Sequence, residues 1–222
     1  LTGEPSLTRH ALGSCGNDWT RAQALDLDPL RFTPLAERIG EALASEGYRG
    51  IFGVDLVLPA SGEPVIIEVN PRLVASVALH AQLELAEGRL PLLARHILAQ
   101  LDPEADAAPL DLHQAPLDGG QAILHHVGEE PVSLSGRLAT GAYRLDPESG
   151  LRYMRPALRV DELAADELLV LAPDASRELA SGQAWARIQT RGGVLDANDR
   201  LSSQAARAID ALQANLDPVG SR

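Results

Sequence analysis

The stretch that decides the fold reads IFGVDLVL from Ile51 to Leu58, a short connection from Pro59 to Glu63, and PVIIEVN from Pro64 to Asn70. Both flanks are strands by length and β-branched content. Ser61-Gly62 supplies the turn signal between them. Side chains alternate faces along a strand. Ile51, Gly53, Asp55 and Val57 therefore share one face, and Ile66, Glu68 and Asn70 share another. If the two strands form an antiparallel hairpin closed by residues 60–63, with Pro59 facing Pro64, Asp55 lies opposite Glu68 and Gly53 opposite Asn70.

Cβ atoms of directly opposed residues are about 4.5–5.5 Å apart. Two carboxylates at about 4 Å repel by roughly 4 kcal/mol at an effective dielectric near 20. A shared proton or a divalent cation can offset that, and so can hydration if the face is simply exposed. Asn70 adds a carbonyl oxygen to the same face. Two carboxylates and an amide oxygen are hard donors that suit Mg²⁺ or Mn²⁺, with the remaining positions left to water and phosphates. Arg72 follows two residues later, and its planar fork suits phosphate oxygens. Gly53 is expected to leave room beside Asn70.

Working outward, Thr33-Pro34 reads as an N-cap and first helical residue. Leu35, Ile39, Ala42 and Leu43 follow at helical spacing, and Gly47 ends the segment. Two helices are expected at about 74–87 and 90–101, separated by Gly88. Residues 102–117 turn to Asp, Pro, Ala and Gln and read as a linker. Residues 118–222 read as a smaller α+β domain. Its expected strands are Gln121–Val127 and Ala184–Thr190. Arg137–Arg144 and Leu151–Arg155 flank a turn at Asp146–Gly150. A final helix is expected over Leu201–Leu216, with Leu201, Ala205, Ala208, Ile209 and Leu212 on one face. The fold class is α+β: an antiparallel sheet with helices over residues 1–101, then the linker, then the smaller domain.

The 222 residues carry a net charge of -12, with 19 basic and 31 acidic residues. That balance lacks the basic footprint of a nucleic-acid or anionic-membrane partner. All 19 basic residues are arginine. The lack of lysine removes Schiff-base chemistry, a biotinyl or lipoyl carrier and a Walker A loop. A single cysteine allows no internal disulfide. No apolar run reaches membrane-spanning length, and the first residues lack the charged-then-apolar order of a signal peptide. The location read from these features is cytoplasmic.

GVDLVL followed by GEPVIIEVNPR resembles the metal-binding end of the ATP-grasp superfamily, whose members use ATP and Mg²⁺ to join a carboxylate to an amine or to carboxylate biotin. The resemblance implies that Asp55, Glu68 and Asn70 hold the metal and that Asn70 and Arg72 face the ATP phosphates, with Arg72 acting in catalysis. It covers about residues 10–101 and implies the C-terminal lobe of such an enzyme. Gly16-Asn17 within SCGNDW, His96, and the late stretch SGQAWARIQTRG are similar to features of predicted carboligases related to biotin carboxylase. A complete member also has a preceding domain, a lobe with a phosphate-binding lysine, and an adenine-holding hinge. The chain is therefore expected to be part of a longer enzyme whose N-terminal lobe is its partner. That enzyme would form an acyl phosphate from a small-molecule carboxylate and pass it to an amine. The alternative is a non-catalytic module that completes a partner's site. The last domain can support a homodimer or cover the cleft.

The histidines show no metal-ligand spacing. His80 is the best placed of them, at the start of the helix after Arg72, with His96 further on. Both read first as structural, and Ser76 as a helix-surface residue. Cys15 reads as a buried small residue rather than a nucleophile.

Overall fold

The computed structural model describes residues 1–25, 29–59, 62–102, 116–134, 138–148, 150–173 and 177–219. They divide into two units. One, the sheet unit, joins Leu1–Leu25 to Pro116–Arg222; the other, the hairpin unit, is Asp26–Ala115. A domain over 1–101 was the expectation from sequence. The structure instead assigns the first 25 residues to the sheet unit. The cause is a short strand, β1 (Gly16–Asp18), which pairs antiparallel with a strand more than a hundred residues later. Most of the expected linker, 103–115, lies outside the described residues.

Asp18 ends β1 and caps the short helix α1 (Trp19–Gln23), accepting the Arg21 N–H at 2.6 Å. The hairpin unit then opens with a 3₁₀ turn over Pro29–Phe32 and helix α2 (Thr33–Ser45). Thr33 is the first helical residue and not the cap: Phe32 takes that place without a side-chain bond. The exit is as expected. The Gly47 N–H donates to Ala44 O at 2.9 Å and the Tyr48 N–H to Leu43 O at 3.0 Å, with Gly47 at φ +83°. That paired closure needs a left-handed residue, which glycine supplies without a Cβ penalty. Strands β2 (Gly53–Val57) and β3 (Val65–Asn70) form a two-stranded sheet. Helices α3 (Val77–Ala86) and α4 (Leu92–Leu101) follow. Buried Glu84 fastens them, accepting the Leu92 N–H at 2.9 Å.

The sheet unit continues with β4 (Gly120–His125), β5 (Val132–Leu134), β6 (Gly141–Asp146), β7 (Gly150–Arg155), β8 (Glu167–Leu171), β9 (Arg177–Leu179) and β10 (Ala184–Thr190). Helix α5 (Ser203–Gln213) and β11 (Leu216–Pro218) complete it. Six strands form one antiparallel sheet in the order β1-β4-β10-β8-β6-β7, and three form a second, β11-β5-β9. The core includes Leu124, Tyr143, Val170 and Ile188 from the larger sheet and Leu134 and Leu179 from the smaller. The amphipathic face of α5 joins that core. Ala205, Ala208, Ile209 and Leu212 are buried, as their spacing predicts. Ser202 caps α5 by accepting the Ala205 N–H at 3.2 Å. The helix stops three residues before the expected Leu216, because Leu216–Pro218 pairs with β5. Residue 137, the first of the expected strand Arg137–Arg144, lies outside the described residues.

Gly16 has a packing reason. A Cβ there would sit 2.1 Å from the Gln121 carbonyl oxygen, so β1 approaches β4 this closely only with glycine. Asn17 accepts from the Gln121 side-chain amide at 3.0 Å, and Gln121 in turn accepts from Gln189 at 3.3 Å. Gln121 and Gln189 are fully buried, so this chain of amides meets the need of buried polar groups for partners.

Candidate active-site hairpin

The hairpin pairs Gly53 with Asn70, Val54 with Val69 and Asp55 with Glu68. The two carboxylates thus stand opposite each other, with Asn70 one step along on the same face. The Asn70 amide N–H donates to Asp55 Oδ2 at 3.0 Å. That bond fixes the amide and leaves its carbonyl oxygen as the free polar atom. Asn70 is buried, whereas Asp55 and Glu68 are exposed. Neither carboxylate makes an ion pair among the described residues. A buried amide carrying an exposed carboxylate is a preorganised edge: one member is locked and the other two reach solvent.

The register changes after Asp55. Leu56 pairs with Ile66 and Val57 with Val65, leaving Ile67 as an extra residue on β3. The Pro59–Pro64 pairing expected from unbroken alternation is not kept. A bulge of this kind bends a strand and increases its local twist. It lies next to Glu68 and leaves the Asp55–Glu68–Asn70 set intact. Gly53 also differs from expectation. An added Cβ would lie 2.9 Å from Val74 Cγ1 but 3.8 Å from the Asn70 side chain, so the glycine makes room for Val74.

Arg72 follows on the exposed turn after β3. Its backbone N–H donates to Asn70 O at 2.8 Å, and its guanidinium donates to Leu73 O at 3.3 Å. It pairs with no carboxylate among the described residues, so its fork is available to a ligand. Ser76 precedes α3 and makes no capping bond through its side chain. His80 and His96 both make contacts within the hairpin unit. His80 Nδ1 lies 3.2 Å from Glu84 Oε2 on the next turn. His96 Nδ1 accepts the Ile51 N–H at 3.2 Å, which holds the entry to β2. Gly50, at φ +112°, lets the ring approach: a Cβ would be 2.2 Å from Nδ1. Cys15 is fully buried, and burial pushes its thiol above the ordinary value, which disfavours the reactive thiolate.

The donors fit a hard divalent cation in type. Two carboxylates and one amide oxygen leave room for water and phosphate oxygens, as Mg²⁺ prefers. Among the described residues no three His, Cys, Asp or Glu side chains gather into a metal-holding group. A cation at the hairpin would thus depend on Asn70 and on ligands from outside the protein.

Residues 25–76, which carry α2 and the whole hairpin, match the family described as the ATP-grasp domain. The match is confined to this segment of the chain, which is similar to that domain. Among solved structures it is similar to N5-carboxyaminoimidazole ribonucleotide synthetase from Thermotoga maritima, at 17% identity and a TM-score of 0.38. That likeness covers 84% of this chain and 42% of the other, so the chain spans about two fifths of the length of the structure it matches. No curated protein matches the chain. No helix among the described residues is long and apolar enough to cross a membrane.

Proposed function

We propose that the hairpin is the metal- and phosphate-binding end of an ATP-dependent carboxylate–amine ligase. The observation that supports this most is the opposition of Asp55 and Glu68 beside an Asn70 already bonded to Asp55, inside the segment that matches the ATP-grasp domain. Asp55, Glu68 and the Asn70 carbonyl oxygen would hold Mg²⁺ or Mn²⁺. When bound, the cation supplies charge neutralisation for phosphate oxygens. Arg72 presents two N–H groups to one phosphate group and stabilises negative charge as it builds up there. The reaction class moves the γ-phosphoryl group of ATP to a substrate carboxylate, giving an acyl phosphate and ADP. Attack by an amine then forms an amide and releases phosphate. No side-chain nucleophile is needed; positioning and electrostatics carry the rate.

The test uses the whole protein of which these residues are part, with ATP, Mg²⁺, and panels of carboxylates and amines. Release of ADP and phosphate is measured, with circular dichroism to follow folding. Arg72→Lys keeps the charge but loses the fork. It should lower turnover by about a hundred- to a thousandfold, the loss typical of one transition-state contact. Wild-type turnover in a folded Arg72→Lys protein would make Arg72 an ordinary surface arginine. Metal binding without ADP release across the panels would favour the non-catalytic reading, in which the hairpin completes a partner's site.

A further inference from the structure

The sheet unit holds a second feature that the hairpin chemistry does not use. Between β10 and β4 the pairing jumps: Ala184 faces His125 and Ala186 faces Leu124. Trp185 is the extra residue. Bulges of this kind re-aim a side chain and recur beside functional sites. Trp185 is 3% exposed, yet its indole N–H has no hydrogen-bond partner among the described residues. A buried, unpaired donor of this kind calls for an explanation.

Beside the bulge lies an open cavity of about 400 Å³, within the usual range for small-ligand sites. Its apolar walls include Ile123, Leu171, Pro173 and Trp185, and two arginines, Arg177 and Arg187, also line it. Arg187 stands between Ile123 and Leu171 on the two neighbouring strands. Its guanidinium makes no ion pair or hydrogen bond among the described residues. Arg177 donates to the Ala184 carbonyl at 3.1 Å, at the bulge itself. No described residue lining the cavity is acidic. In a chain of net charge -12, two guanidiniums line this cavity with no carboxylate among its described lining residues.

We infer that this cavity binds a small carboxylate with an apolar body, aromatic or branched, its carboxylate on Arg187 and its body against Trp185, Ile123 and Leu171. The planar guanidinium matches a carboxylate, and the indole and aliphatic walls match an apolar body. A bare inorganic anion would leave those walls unfilled, and a neutral ligand would leave the charge of Arg187 unused. The described lining residues all belong to the sheet unit.

The probe is benzoate, titrated into the full chain carrying Trp19→Phe, so that Trp185 is the only tryptophan left and its emission reports on the cavity. Benzamide and inorganic phosphate are titrated in parallel. Benzoate should give a saturable change in emission at millimolar concentration. Benzamide should bind at least about tenfold more weakly, as expected for losing one charge-assisted contact. Phosphate should leave the emission unchanged. Arg187→Gln should weaken benzoate by a similar factor with the melting temperature held near that of the parent. The benzoate–benzamide contrast stands on the parent protein even if Arg187→Gln fails to fold. Equal affinity for benzoate and benzamide would reduce the cavity to an apolar trap and overturn the proposal. So would a response to phosphate equal to that to benzoate, or no saturable response to benzoate.

Discussion

The two units differ most in how they treat their apolar residues. In the sheet unit Leu124, Leu168, Leu169, Val170, Ile188 and Ile209 are at most 1% exposed. In the hairpin unit the buried large aliphatics among the described residues are Leu79 and Leu83. There Val57, Val65, Ile66, Ile67, Leu85 and Leu101 are exposed, Ile67 at 65% and Leu101 at 77%. No residue of α2 or α4 is buried. Apolar burial contributes about 25 cal/mol per Å² and is the main stabilising force of a fold. A two-stranded hairpin is marginal by itself. The sheet unit therefore carries the stability, while the candidate active site sits on the unit with the smaller core. Such low-stability elements are where binding sites and moving parts are commonly found.

The largest expected effect breaks this comparison if it fails. Leu124→Ala removes a fully buried side chain and should cost about 2–5 kcal/mol, read from urea unfolding. Ile67→Ala on the exposed bulge should stay within about 0.5 kcal/mol. Similar costs for the two would mean that the hairpin unit is better packed than its exposures indicate.

A smaller effect within the hairpin unit comes from Gly50→Ala. The new Cβ meets the His96 ring at a φ of +112°, where alanine is strained in any case. The expected cost is about 1–3 kcal/mol, with the β2 entry disordered first in amide exchange. Unchanged exchange at Ile51 would show that the His96 contact does not hold β2.

The third prediction sharpens the contrast through pH. Glu167 in the sheet unit is buried, accepts the Ala164 N–H at 2.9 Å, and pairs with Arg155 and Arg144. The Ala164 N–H, then the Arg155 hydrogen bond, hold its carboxyl below the ordinary Glu value. A carboxylate with a lowered folded pKa contributes stability that is present above its unfolded pKa and lost as pH falls through the folded one. Acidification from the ordinary Glu range downward should weaken the sheet unit, and Glu167→Gln should flatten that part of the profile. An unchanged acid limb in Glu167→Gln would assign it to other carboxylates.

Much of the site was legible because a hairpin is local. Alternation puts Asp55, Glu68 and Asn70 on faces that can meet. From the observed Leu56–Ile66 pairing, however, unbroken alternation would set Asp55 opposite Ile67, and it is the bulge that brings Glu68 there. The bulge at Ile67 was hidden because Val65, Ile66 and Ile67 are all apolar, so a one-residue slip leaves no trace in the pattern. Ala184–Thr190 was legible as a strand, yet the bulge that singles out Trp185 within it was not. The strands β5, β9 and β11 have three residues each, too few for a period to register. β1 reads Gly-Asn-Asp, with no apolar residue at all. It is a strand only because β4 offers it an edge, which is why the first 25 residues were placed with the wrong unit.

The central claim is that Asp55, Glu68 and Asn70 form one cation site. Titrating Mn²⁺ into the full chain, with amide signals followed by NMR, tests it most directly. The account predicts paramagnetic broadening centred on residues 53–55 and 68–70, relieved by excess Mg²⁺ and abolished by Glu68→Gln with the fold kept. Broadening that survives Glu68→Gln unchanged, or that centres elsewhere on this acidic surface, would contradict it.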